Sequence, residues 1–289
     1  MSDLILSGVR YELSRTLLHD LDLTFAAGRM TALSGPSGSG KTTLLSIAGG
    51  LLRPTTGEAT YAGAPMWRGT GDPRPEVSFV LQVYGLVPIL SARENVSVAL
   101  RARGVDPDEA DERAAAALAR FHIADLGDRQ VEELSGGQMQ RVALARGLCV
   151  GSGVLLADEP TSELDEGNRG LVLAELRREA DRGAVVVVAT HDPAVVDACD
   201  DHHALDEGRL VDHTEPVHLT RSRGSSPSDL DQRGPDLDQR GPVVEQRGPV
   251  VEQRGVPATS GRRDHPTVAP DQQEDDDPYE LFRRPPGSP

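Results

Sequence analysis

One stretch of the chain has the residue types and spacing to hold a polyphosphate: Gly35-Pro36-Ser37-Gly38-Ser39-Gly40-Lys41-Thr42, followed by Thr43. It matches G-x-x-x-x-G-K-[ST], follows an apolar run ending at Leu33 and opens a helical pattern. Glycines there let backbone N–H groups approach phosphate oxygens, and the helix N-terminus adds positive potential. Lys41 is placed to reach the β- and γ-phosphates, and the Thr42 hydroxyl to bind Mg2+. Lys41 is also the only lysine among 289 residues, the other 29 basic residues being Arg. An ammonium point charge and a guanidinium fork are not interchangeable, so its retention at this one position marks a need for the former.

A second candidate is the apolar run Val154-Leu155-Leu156-Ala157 ending in Asp158-Glu159. At a strand's C-terminal end Asp158 would hold Mg2+, directly or through water. Glu159, one residue on, would orient and polarise an attacking water. A third is Leu134-Ser135-Gly136-Gly137-Gln138, just before an amphipathic helix.

These residues need elements to position them. Short Val/Leu runs alternating with helical patterns predict an α/β fold with a mostly parallel sheet. Buried strands are expected over 31–33, 77–81, 154–157 and 185–189, and helices over 41–48, 91–101, 108–121, 136–149 and 167–180. Asp106-Pro107 reads as an N-cap and first-turn pair, and the Ala-rich stretch 110–120 as part of a helical insertion. Gly147, inside the expected helix 136–149, should cost up to about 1 kcal/mol relative to Ala. Composition divides the chain at about residue 220. Residues 221–289 hold 11 of the 21 prolines, and a seven-residue repeat (DLDQRGP twice, then VVEQRGP and VVEQRGV) fills 229–256. Gly-Pro in these copies argues against a coiled coil and for a disordered, solvated tail.

With these motifs in hand the chain resembles the ATP-binding cassette (ABC) ATPases, over about residues 4–212. Leu134 to Gln138 is similar to that family's signature. Gln82, after the strand at 77–81, resembles its Q-loop glutamine; Ser162-Glu163-Leu164-Asp165 resembles its D-loop; His191 resembles its switch histidine. Tyr11 lies thirty residues before Lys41, where the family stacks an aromatic ring on adenine. The resemblance implies a P-loop NTPase fold with a mostly parallel core, an antiparallel β portion and a helical subdomain at about 83–150. It implies ATP and Mg2+ as cofactors, with Thr42, Gln82 and Asp158 around the metal and His191 on the γ-phosphate. It further implies two ATP molecules clamped between two antiparallel copies, a homodimer or a pair of related chains. Ser135, Gly136, Gly137, Gln138 and Asp165 of one copy would then act on the nucleotide of the other. The residues around Gln82 look most like the lipoprotein-release and macrolide-export branch. That branch implies separate integral membrane permease subunits, a peripheral position on the cytoplasmic face of the cell membrane, and export driven by ATP hydrolysis.

Charge narrows the alternatives. The chain carries 30 basic and 46 acidic residues, and the tail's 10 Arg against 13 acids leave residues 1–220 at −13. Such a body is poorly suited to neutralising nucleic-acid phosphates. A soluble ABC ATPase acting on ribosomes or DNA is the main competing expectation, followed by a force-transmitting ATPase without a transported substrate. Met1 to Arg10 shows no secretory pattern, and the longest apolar run in the C-terminal half, 184–189, is far too short to span a membrane. Cys149 and Cys199 offer neither a disulfide framework nor metal-ligand spacing. The cluster Asp200-Asp201-His202-His203 is expected to be structural.

Overall fold

The computed structural model describes residues 2–211. The repeats at 229–256 and the tail expected over 221–289 lie outside the described residues. The chain starts with two long strands, β1 (Leu4–Glu12) and β2 (Thr16–Phe25), then β3 (Met30–Ser34) and α1 (Lys41–Ala48). Two short strands, β4 (Thr56–Tyr61) and β5 (Ala64–Pro65), precede β6 (Val77–Val80). Three helices follow: α2 (Ala92–Arg101), α3 (Pro107–Arg120) and α4 (Gly136–Leu148). The last third runs β7 (Val154–Asp158), α5 (Glu166–Asp181), β8 (Val185–Thr190), α6 (Pro193–Asp197), β9 (Asp201–Asp206) and β10 (Arg209–Val211).

The central sheet has the order β10-β9-β3-β8-β7-β6, parallel except for β10. Every residue of β7 and β8 is buried, as strands covered on both faces must be. Alternation then divides them. Val154, Leu156, Val185 and Val187 pack against α1 and the N-terminal sheet, while Leu155, Ala157, Val186 and Val188 pack with α4 and α5. The four strands expected in this sheet are observed, each with bounds moved by a residue or less. The five expected helices correspond to α1 to α5.

The N-terminal sheet, β2-β1-β4-β5, is antiparallel. In β1 Leu4 and Leu6 face the core, and a register shift between Leu6 and Val9 then turns Val9 and Tyr11 to the same side. A bulge re-aims every side chain that follows it.

The Ala-rich stretch is α3, whose Ala110, Ala114, Ala117 and Leu118 are buried. As expected, Asp106 caps it and Pro107 starts it. Arg120 at its C-terminal end reaches two buried carboxylates of α5: Glu175, through Nε at 2.7 Å, and Glu179 at 3.3 Å. These bonds tie the helical layer to the core. Cys149 is the half-buried C-cap of α4, and burial pushes its thiol up to about 11.

Gly147 has a packing reason. A Cβ there would lie 2.7 Å from Val80 Cγ2 and 3.3 Å from the Phe79 carbonyl oxygen, so the glycine lets α4 lie directly on β6. Overpacking costs about 1–3 kcal/mol, against at most about 1 kcal/mol of helix propensity gained. Gly147→Ala is therefore expected to lower the melting temperature, by up to about 8 °C. A higher melting temperature in a thermal scan would show that Val80 yields without cost.

Candidate functional site

The phosphate loop bridges the end of β3 and the start of α1. Gly35 sits at φ +146°, and a Cβ on it would lie 2.0 Å from the Leu205 carbonyl oxygen, so no other residue fits there. The loop is braced from behind by the Gly208 N–H, which donates to the Ser39 carbonyl at 3.0 Å. Lys41 is 9% exposed, and its ammonium crosses the loop to donate to the carbonyls of Gly35 (2.7 Å) and Pro36 (3.0 Å).

Strand ends bring the acids to this loop. Thr42 Oγ1 donates to Asp158 Oδ2 at 2.6 Å. Asp158 is buried, which raises its carboxyl above the usual carboxylate range against the opposing pull of the Thr42 hydroxyl. The neighbouring Glu159 pushes the same way as burial, and Lys41 pulls the other way. Two hard oxygen donors, one of them a buried carboxylate in need of positive charge, fit a small divalent cation such as Mg2+.

β7 and β8 pair in a register that sets Asp158 opposite Ala189, so the chain leaves both strands at one edge. Glu159 therefore meets His191, whose Nδ1 lies 2.8 Å from Glu159 Oε1. Glu159 is 8% exposed and holds φ +48°, an uncommon conformation for a residue with a side chain. Its N–H donates to the Ala189 carbonyl at 2.9 Å.

One cleft of about 590 Å³ collects these groups. Ser37, Gly38, Gly40, Lys41, Thr42 and Thr43 line one side, and Gln82, Asp158, Glu159, Ser162 and His191 the other. Gly35, Pro36 and Ser39 shape the loop behind this lining. Ser39 Oγ is buried with no hydrogen-bond partner among the described residues.

Other expected site residues lie elsewhere. Tyr11 is 8% exposed in the core shared by the N-terminal sheet and α1, and is not part of the cleft wall. The bulge in β1 turns its ring inward, so the stacking role expected of it is not available in this arrangement. Arg15 and Leu17 of the same hairpin line the cleft instead.

Ser135, Gly136, Gly137 and Gln138 form the N-terminus of α4, outside the cleft. Ser135 Oγ accepts from the Gln138 N–H at 3.4 Å, and Gln138 Oε1 accepts from the Ser135 N–H at 2.9 Å, a reciprocal cap. Asp165 caps α5, accepting from the Asn168 N–H (2.8 Å) and Nδ2 (3.0 Å), bonds that hold its carboxyl below the usual range.

In the Asp200 to His203 cluster, Asp200 pairs with Arg177 at 2.6 Å and Asp201 with Arg29 at 2.5 Å, while the His203 ring meets Phe25 edge-on. Arg15 and Leu17 carried no sequence signal. Gln140 did carry one: a lone amide on the buried face of α4, four and eight residues before the buried Leu144 and Leu148. It is bonded to the Glu159 turn.

A glycine-rich anion cradle, a lone lysine, a hydroxyl–carboxylate pair and a second carboxylate define a site for a nucleoside triphosphate on a P-loop fold. The sequence model of the ABC transporter family matches residues 18–162. The macrolide export ATP-binding/permease protein MacB of Salmonella typhi is 37% identical over 215 residues, covering 72% of this chain and 33% of the relative. The pyoverdine export ATP-binding/permease protein PvdT of Pseudomonas fluorescens is 38% identical over 227 residues, covering 75% and 35%. The chain thus spans about a third of the length of these export proteins. Among solved structures, a dimeric bacterial ABC transporter cassette superposes with a TM-score of 0.66 at 30% identity, covering 72% of this chain and 96% of its own. A post-hydrolysis state of the same cassette, dimeric and bound to ADP and Pi, gives 0.65 at 30%. The chain belongs to the ABC transporter family and has the fold of its ATPase cassettes.

The raised Asp158 pKa has a testable consequence. A carboxyl raised on folding binds its proton more readily in the folded chain, so its contribution to stability falls as pH rises through the interval between the two values. Nucleotide-free Asp158→Asn should melt above the parent at about pH 7.5, with the gain shrinking as pH falls toward the ordinary carboxylate range. Calorimetry showing a lower melting temperature at neutral pH would contradict this.

Proposed function

We propose that this chain is the ATP-hydrolysing subunit of an exporter, working as two copies on the cytoplasmic face of a membrane and driving a permease. The observation that carries this reading is the convergence of Lys41, Thr42, Gln82, Asp158, Glu159 and His191 on one cleft. The exposed N-terminus of α4 lies outside it. Within one copy Ser135, Gly137 and Gln138 do not line the cleft, and a second copy facing the other way would supply them.

In this reading Lys41 exchanges the carbonyls of Gly35 and Pro36 for phosphate oxygens. Thr42, Asp158 and Gln82 would hold Mg2+, which when bound supplies positive charge against the phosphates. Glu159 orients the attacking water and accepts its proton as the bond to the β-phosphate oxygen breaks. In the tautomer with the proton on Nδ1, His191 donates to Glu159 and steadies the carboxylate, and its ring lines the cleft where the γ-phosphate would sit. ATP drives closure because only the two-copy state offers both sets of phosphate contacts.

Support for a membrane partner comes from the segment after β6. Leu81, Val83, Val87 and Ile89 are exposed around Gln82, Ile89 at 81%. Arg146 of α4 donates to the carbonyls of Tyr84 and Gly85, so the shape of this segment is tied to α4. No described helix is long and apolar enough to cross a membrane. The named relatives carry permease in their own names, and this chain spans about a third of them.

Glu159→Gln should keep ATP affinity within about twofold while lowering kcat by about 10²–10⁴, the usual contribution of a positioned base. Turnover at the parent rate, measured as phosphate release, would remove Glu159 from the role.

A further inference from the structure

Gln140 lies one turn inside α4, is 2% exposed, and uses both ends of its amide on the turn that follows β7. Its Nε2 donates to the Glu159 carbonyl at 2.9 Å and reaches Ser162 Oγ at 3.4 Å. Its Oε1 accepts from the Glu163 N–H at 3.0 Å. One side chain thus closes the segment from Glu159 to Glu163 at both ends. Ser162 Oγ also donates to the Glu159 carbonyl, at 3.2 Å.

This segment needs such a closure. Glu159 holds φ +48°, a conformation that costs free energy and persists only where surroundings impose it. Its N–H is fixed by Ala189, but that bond leaves the peptide plane on its C-terminal side to be fixed from elsewhere. His191 is a poor candidate for that task, with its side chain 73% exposed. The Gln140 amide is buried; its Nε2 shares the Glu159 carbonyl with the Ser162 N–H (3.3 Å) and Oγ (3.2 Å), and its Oε1 ties the Glu163 N–H to the same side chain.

We infer that Gln140 is a positioning residue for Glu159: its amide holds the left-handed turn that aims the Glu159 carboxylate into the cleft. The inference rests on the hydrolytic reading above. It assigns Gln140 no contact with nucleotide, so loss of its amide should slow the chemical step and spare binding. Methionine matches its length and packing while removing all three of the amide's hydrogen bonds.

The test is a double-mutant cycle on the full chain, using Gln140→Met, Glu159→Gln and their combination, with ATP turnover and ATP affinity measured for each. Gln140→Met should lower kcat about tenfold in the parent background, with ATP affinity changed less than about twofold. In the Glu159→Gln background the same substitution should change the residual rate less than about twofold, because a residue acting through Glu159 loses its effect when that carboxylate is gone. An equal loss in both backgrounds, no loss in the parent, or a parallel loss of affinity and kcat would overturn the assignment.

Hydrogen exchange on the unmodified chain gives a readout free of activity and of any variant's folding. The Glu163 amide should exchange at least about a hundredfold more slowly than an open-chain amide, and exchange at the open-chain rate would overturn the clamp. If the unmodified chain turned over no ATP, the hydrolytic reading would fall, while the exchange of Glu163 would still decide whether Gln140 holds the turn.

Discussion

Parallel pairing of β7 with β8, in a register that sets Asp158 opposite Ala189, is the constraint from which the site follows. Strands running the same way end at the same sheet edge, so the carboxylates after β7 and the imidazole after β8 must meet there. β3 pairs with β8 in the same sense, with Ser34 opposite Thr190, and delivers the phosphate loop to that edge. A crevice beyond the carboxyl ends of parallel strands is where open α/β sheets hold their ligands. Here three neighbouring strands supply a lysine, a hydroxyl, two carboxylates and a histidine.

The site holds groups that a stable fold alone would not select. Asp158 and Glu159 are adjacent carboxylates, both buried, and Glu159 adopts a strained backbone conformation. Burial and mutual repulsion raise the pKa of Asp158, and Thr42 and Lys41 only partly offset this. The surrounding β7 and β8 are almost entirely Val, Leu and Ala, fully buried between two layers. Each large apolar side chain so buried contributes about 1.5–3 kcal/mol, and this core offsets the cost of the charged edge. Function in this molecule is concentrated where β strands stop, and stability where they run.

Much of this was legible in the sequence because it is local. The phosphate loop and its helix, the acidic end of β7 and the Val run of β8 are contiguous motifs whose residue types dictate their structure. Gly147 was legible only as a helix defect; its purpose depends on Val80, far away in the chain. Tyr11 shows the limit most clearly. Its place before Lys41 matched the family's base-stacking ring, but the register shift between Leu6 and Val9 turns it into the core; the change of apolar phase across Gly8, from Leu4 and Leu6 to Val9 and Tyr11, is the trace that bulge leaves. The N-terminal sheet was expected in kind but not strand by strand, because its pairings with β4 and β5 join segments separated by a helix. Arg15 and Leu17 reach the cleft through that same hairpin. Gln140 could have been singled out as a polar residue on an apolar helix face, although its partner could not.

α4 concentrates three contacts along one rigid element. Its N-terminus presents Ser135 to Gln138 to solvent, its first turn holds the Glu159 turn through Gln140, and its last turn holds the Tyr84 and Gly85 carbonyls through Arg146. In the proposed two-copy reading this helix acts on the nucleotide of the other copy, and this is the central claim. The most direct test is ATP turnover per chain as a function of chain concentration, for the full-length protein at saturating ATP. The account predicts that turnover per chain falls steeply on dilution and is restored on reconcentration, in step with the dimer fraction seen by light scattering. Constant turnover per chain at dilutions where only single copies scatter would contradict it.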